Sequence, residues 1–275
     1  MGRKLTDAQI SAFKRDGFVS PVDIFSPEKA AELRAALEEA EAKYPEAFVG
    51  AARNNAHLNL MCLDEIVHNT DLLDAAQDLV GPDILNYGTV LFIKEPRDPG
   101  FVSWHQDARY MGLEPHVGVT AWVALSEAND ANGCMRMIPG SHDILRDHDD
   151  TFGAQNILTR GQEVPDVDET RAVSTPLKPG QASFHSARVI HSSQPNQSND
   201  RRIGFVIQPY MPPHVTQTIV PTYAQLVRGQ DPLGNFQRAG RPTRDMAPDD
   251  LALRDAVNET WSDILYHGAK QRRDF

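Results

Sequence analysis

Residues 84–96 read ILNYGTVLFIKEP, and the fold turns on them. Upstream, apolar residues recur every three or four positions; here they alternate or run together and stop at Pro96, the period of a strand. Working back, Thr6 and Ser26 precede amphipathic runs as helix caps, the second with Pro27 at the first helical position. NTDLLDAAQDLVG (69–81) predicts a third helix, capped by Asn69 or Thr70 and stopped by Gly81. Working forward, VGVTAWVALSEA (117–128), GCMRMIPGSH (133–142), PGQASFHSARVIHSS (179–193) and RRIGFVIQPYMP (201–212) are short and β-rich, with turn formers between them. Short strands between Pro, Gly and Asn turns predict an antiparallel sandwich or jelly roll, not βαβ units. Residues 141–170 form a long polar connection of the kind that serves as a binding loop or lid. A last helix is expected over about 249–270.

The chain has 275 residues, 40% hydrophobic and 24% charged, with net charge −11. That balance opposes nucleic acid or an anionic membrane as partner, while leaving room for an anionic small molecule held by one or two local cations. The opening MGRKLTDAQISAFKRDGF holds no apolar stretch of signal-peptide length, and no later segment approaches a membrane span. MGRKLT matches the short myristoylation pattern formally. Cys62 and Cys134, the 2 cysteines, make no disulfide framework, and the expected location is the cytosol.

SWHQDARYMGLEP (103–115) places His105 and Asp107 one residue apart, so on a strand both would face one way. With 10 histidines the pattern is cheap, and it recurs at His148 and Asp150 in a charged loop, read there as a solvated face. A third ligand would come from FHSARVIHSS, at His185 or His191. Two His and one carboxylate form the facial triad of non-haem Fe(II) oxygenases, with positions left open for a chelating co-substrate and O2. If QPNQSND (194–200) closes a hairpin, His191 and Arg202 face each other across it. Arg202 would then clamp the far carboxylate of a dicarboxylic co-substrate, and Arg201 would point away.

WHQD (104–107), TAWVAL (120–125), NGCMRMIPGSH (132–142) and HSSQPNQSNDRRIGF (191–205) together resemble the phytanoyl-CoA dioxygenase family, over roughly residues 8–215. The resemblance implies a mainly β fold with flanking helices, a double-stranded β-helix (jelly roll, cupin-like) core, and use of Fe(II), 2-oxoglutarate and O2. It implies that His105, Asp107 and His191 bind iron. Arg202 and Ser193 would hold the 2-oxoglutarate C5 carboxylate, with Trp122 and Gln106 at the same site. His185 would support the site or pack in the core. Retention of Asp107 implies hydroxylation, since halogenating relatives carry a small residue there. The pocket mouth is expected at Arg53, Asn55, Trp104, Arg109 and Tyr110, Arg53 lying near a basic residue the family uses.

One domain is expected over 1–275, helical to 82, β-helix from about 83 to 215, and a helical tail from 216. The expected reaction is hydroxylation of a small polar or anionic metabolite (a phosphonate, amino acid derivative or natural-product intermediate), with release of succinate and CO2. A non-catalytic cupin-like binding protein, or a metal-dependent hydrolase or isomerase on the same barrel, remains the alternative. Oligomeric state is not legible.

Overall fold

The computed structural model describes residues 3–273. Gly2 of the myristoylation pattern lies outside them. The first third carries α1 (Asp7–Asp16), β1 (Phe18–Asp23), α2 (Pro27–Lys43), α3 (Met61–Val67) and α4 (Thr70–Val80). The caps fall where the side-chain chemistry puts them. Thr6 forms a reciprocal box with Gln9, Ser26 accepts from the Lys29 amide, and Asn69 accepts from the Leu72 amide.

Next come β2 (Ile84–Asn86), β3 (Thr89–Lys94), β4 (Val102–His105), the one-turn α5 (Ala108–Met111), β5 (Leu113–Glu114), β6 (Val119–Ala124) and β7 (Met135–Met137). The long connection holds only β8 (Asp149–Asp150) and β9 (Gln162–Glu163). After it follow β10 (Val173–Thr175), β11 (Gln181–Ser186), β12 (His191–Ser193) and β13 (Arg202–Met211), then β14 (Thr216–Gln217), β15 (Tyr223–Arg228), β16 (Gln237–Arg238) and α6 (Pro248–Leu265).

Two sheets carry the jelly roll. The larger runs β1-β11-β6-β13-β2-β15-β16, with β3 also on β13, and the smaller runs β10-β7-β12-β4. Alternation along the larger sheet sorts its side chains between two faces. Val119, Ala121, Val123, Phe184, Ile203, Phe205 and Ile207 meet Leu33, Leu37, Leu63, Ile66 and Leu72 of the covering helices. The intervening positions, including Trp122, Arg202, Gly204 and Val206, turn toward the smaller sheet.

Three expectations need correction. The helical first third contributes β1, which pairs with β11 and buries Val19 and Val22 on either side of a shift in register. The tail is not purely helical, since β15 joins the larger sheet beside β2. QPNQSND closes no hairpin. It carries the chain from one sheet to the other, as the Asn196 amide donates to the carbonyls of Lys94, Glu95 and Asp200.

Candidate metal centre and co-substrate cavity

The partner of His191 across the sheet is His105, on the neighbouring strand β4. Their rings lie 4.1 Å apart. Asp107 arrives by a different route from the one its spacing suggests. The strand ends at His105, and Asp107 turns into the helical region at the start of α5, held there as the Ala108 amide donates to Ala187 O. Its Oδ1 then sits 3.3 Å from His105 Nε2 and 3.9 Å from His191 Nε2. The ligand atoms of the three residues lie within 4.8 Å of one another, the one such group among the described residues.

The imidazoles are set up to coordinate. His105 Nδ1 lies 2.9 Å from Ser103 O and 3.1 Å from His191 O, and His191 Nδ1 lies 3.0 Å from Val189 O. Carbonyls only accept, so Nδ1 carries the proton and each Nε2 lone pair is turned to the centre. Burial, with His105 beside it, pulls His191 down to about 3, so the ring is neutral at ordinary pH. Burial alone would raise Asp107. The neighbouring histidines, His191 foremost, outweigh burial and hold the carboxylate well below its usual range. Two imidazoles and one carboxylate suit Fe(II), leaving other positions open.

The centre opens into a cavity of about 490 Å³. At one end Arg202 is 1% exposed, its guanidinium 5.3 Å from the Trp122 ring. Gly204 makes this possible, since a Cβ there would lie 2.0 Å from Trp122 Cζ2. Burial pulls Arg202 down to about 10, still charged at neutral pH. Its protein contact is one long bond from Nη2 to Ser193 Oγ, 3.4 Å, and its Nε has none. Arg201 points outward, to Glu41 and Glu95.

Lys94, the last strand residue of ILNYGTVLFIKEP, was not singled out by sequence. It pairs directly with Arg202 across β3 and β13 and is 0% exposed. Its Nζ donates to Ser193 Oγ at 2.6 Å, Gln194 O at 2.5 Å and Ser193 O at 3.3 Å. Burial and Arg202 pull it down to about 6. A lysine closing an apolar strand, in register with an inward arginine, was the available signal.

The mouth divides differently from the sequence reading. Arg53 and Tyr110 line the cavity, with Asn54. Trp104 does not. It neighbours the inward-facing His105, so it packs outside with Ile138, Val164 and Ile190. Asn55 is a buried brace that accepts from the Thr89 amide and donates to Asn258. Arg109 is exposed and faces Asp147. Gln106 spends its amide on the carbonyls of Ile144 and Arg188 and on the Arg146 amide, which locks the loop rather than lining the site. His148, the second His-x-Asp, is half-buried, not solvated, and accepts from the Gln106 amide. Asp150 pairs with Arg160.

Ala154 and residues 156–159 of the long connection, the segment read above as of the binding-loop or lid kind, close the far side together with Trp261, Ser262 and Leu265 of α6, a wall that the sequence reading missed. Arg273 joins them, donating to Asn156 O and Leu158 O. A wider depression of about 760 Å³, lined by Lys43, Cys62, Glu65 and Asp245, lies apart from the triad. No helix among the described residues is long and apolar enough to cross a membrane.

A Danio rerio phytanoyl-CoA dioxygenase domain-containing protein 1 is 33% identical over 132 residues, 46% of this chain and 44% of that protein. The match thus spans less than half of that relative's length. An ectoine dioxygenase from Bordetella parapertussis is 26% identical over 228 residues, 70% of this chain and 71% of that one. Among solved structures, the non-heme monooxygenase ThoJ, apo, superposes with TM-score 0.85 at 32% identity, covering 96% of this chain and 100% of that one. CytC3 with Fe(II) and α-ketoglutarate shares the fold, with TM-score 0.66 at 22% identity over 86% and 93% of the two chains. The phytanoyl-CoA dioxygenase (PhyH) profile matches residues 13–204, a span that takes in the triad, Lys94, Trp122 and Arg202. This chain belongs to the phytanoyl-CoA dioxygenase family, whose members depend on Fe(II), 2-oxoglutarate and O2.

Proposed function

We propose that this chain, working as one domain, is an Fe(II)- and 2-oxoglutarate-dependent hydroxylase of a small molecule. One observation carries the reading: buried Arg202, with no carboxylate within ion-pairing distance among the described residues, lines the cavity of the His-Asp-His group, and Lys94 pairs with it from the next strand. A buried guanidinium without a paired carboxylate is costly, so it calls for an anionic ligand. A metal hydrolase has no use for such an end to its cavity.

His105, Asp107 and His191 would hold the iron. Arg202 would bind the C5 carboxylate of 2-oxoglutarate in a two-pronged contact, Ser193 Oγ and Lys94 would complete the cradle, and Trp122 would support the guanidinium. When bound, iron and 2-oxoglutarate supply the oxidising chemistry, with succinate and CO2 as co-products. Asp107 fills the position that chloride would need in a halogenase. Van der Waals walls from Val90, Phe92, Met111, Ile157, Leu158 and Leu265, with Arg53 as a polar contact, suit a substrate with an apolar body and one anionic or acceptor group.

The test is succinate formation and O2 uptake by purified chain with Fe(II), 2-oxoglutarate and ascorbate. Uncoupled turnover that disappears in His105→Ala supports the reading. No succinate with any candidate substrate, from protein that binds the metal, sinks it in favour of a binding protein.

A further inference from the structure

The carboxylate of Asp107 has two differently placed oxygens. Oδ1 faces the Nε2 atoms of His105 and His191, at 3.3 and 3.9 Å. Oδ2 faces away from them, 3.5 Å from Thr120 Oγ1 and 3.8 Å from His185 Nε2. Thr120 and His185 are direct partners across β6 and β11, so one cross-strand pair supplies both neighbours of that oxygen. His185 is 1% exposed, lies in the cavity wall, and neither ring nitrogen has a hydrogen-bond partner. A buried imidazole without partners is costly, and the unshared carboxylate oxygen is the acceptor within reach of a small shift.

We propose that His185, with Thr120, is a positioning pair that holds Oδ2 of Asp107 and keeps this ligand bound through Oδ1 alone. The inference rests on the metal reading above. A carboxylate swings between one- and two-oxygen binding, and a donor on the free oxygen decides which. Held by one oxygen, Asp107 leaves its neighbouring coordination position to the co-substrate. His185 acts by hydrogen bonding and is not itself a ligand.

The test uses Co(II) with the full chain, measuring affinity by calorimetry and ligand number by the visible absorption spectrum. His185→Phe should weaken Co(II) binding by about 10- to 100-fold, the usual effect of losing an outer hydrogen bond to a ligand, and alter the spectrum. The metal-free protein should unfold at no lower temperature. His185→Gln, whose amide N–H reaches the place of Nε2–H, should restore affinity and spectrum, and Thr120→Val should show a smaller loss of affinity. Should His185→Phe fold poorly, His185→Gln and Thr120→Val still decide the matter. Unchanged affinity and spectrum in His185→Phe or Thr120→Val, where His105→Ala abolishes binding, overturns the positioning role and leaves the triad standing. His185→Gln as weak as His185→Phe also overturns it. Absence of binding by the unsubstituted chain removes the triad itself, and this role with it.

Discussion

The guanidinium of Arg202 lies buried 5.3 Å from the ring of Trp122, with Lys94 directly opposite on the next strand and no carboxylate within ion-pairing distance among the described residues. A buried guanidinium with no carboxylate paired to it opposes folding unless a ligand answers it, which makes this end of the cavity a source of binding energy rather than of stability.

Arg202→Ala should therefore raise the Kd for 2-oxoglutarate on the metal-loaded protein by at least about tenfold, the scale of one charged hydrogen-bonded contact. Arg202→Lys should recover only part, because an ammonium is a point charge and lacks the planar fork. Arg202→Met should melt at an equal or higher temperature without ligand. Calorimetry and thermal melts read both, and unchanged 2-oxoglutarate affinity in Arg202→Ala would take the residue out of the site.

Lys94 predicts a proton count. With its folded value near 6 against an ordinary 10.5, the amine is mostly neutral at pH 7.5. A dianion placed beside it favours the ammonium, whose three N–H groups already have three acceptors around them. Binding of 2-oxoglutarate at pH 7.5 should take up close to one proton, seen as an enthalpy that changes with the buffer's ionisation heat, and should tighten as pH falls from 8 toward 6. Lys94→Met should abolish the buffer dependence.

Metal should stabilise the fold by linkage. A divalent ion at 100 times its Kd adds about 2.7 kcal/mol, enough to move the melting temperature by several degrees. Mn(II) is a suitable redox-stable probe. The shift should vanish in His105→Ala and on chelation by EDTA; a shift that persists in His105→Ala places the ion elsewhere.

His57 should contribute to acid sensitivity. Its Nε2 accepts from Asn86, its Nδ1–H donates to Thr89 Oγ1, and burial pulls it down to about 3. The unfolded chain binds this proton near 6.5, so between those values the unfolded state holds more protons and stability falls as pH falls. The slope is up to about 1.4 kcal/mol per pH unit for one such histidine. His191 adds in the same direction. Urea melts from pH 7 to 4 should show a shallower decline in His57→Gln; an identical slope would contradict a buried neutral ring.

Gly204→Ala should disturb both stability and co-substrate binding. The added methyl would meet Trp122 Cζ2 at 2.0 Å, and overpacking of this kind costs about 1–3 kcal/mol. Trp122→Phe in the same chain should recover part of the stability by freeing the space. A fully stable Gly204→Ala variant would mean that the indole moves freely.

The helix caps at Thr6 and Ser26, the third cap to within one residue (Asn69 or Thr70, Asn69 in the structure), the alternation of the jelly-roll strands and the outward turn of Arg201 were legible in the sequence, because each rests on neighbours a few residues apart. The same logic, applied to its end, would have excluded Trp104 from the cavity, since it adjoins an inward His105. His105, Asp107, His191, Ser193 and Arg202 were also visible, as types in a pattern.

What joins them was not. Sequence spacing set His191 opposite Arg202 in one hairpin; the structure sets it opposite His105, with Arg202 on the facing sheet. Strand pairing is chosen by the closure of two sheets over a shared core, and no local rule specifies which distant strand becomes a neighbour. For the same reason Lys94 met Arg202 unannounced, and α6 closed a cavity whose ligands His105 and Asp107 lie more than a hundred residues before it. The chain's local chemistry determined which residues could bind iron and an anion. Only packing at long range decided that they share one cavity.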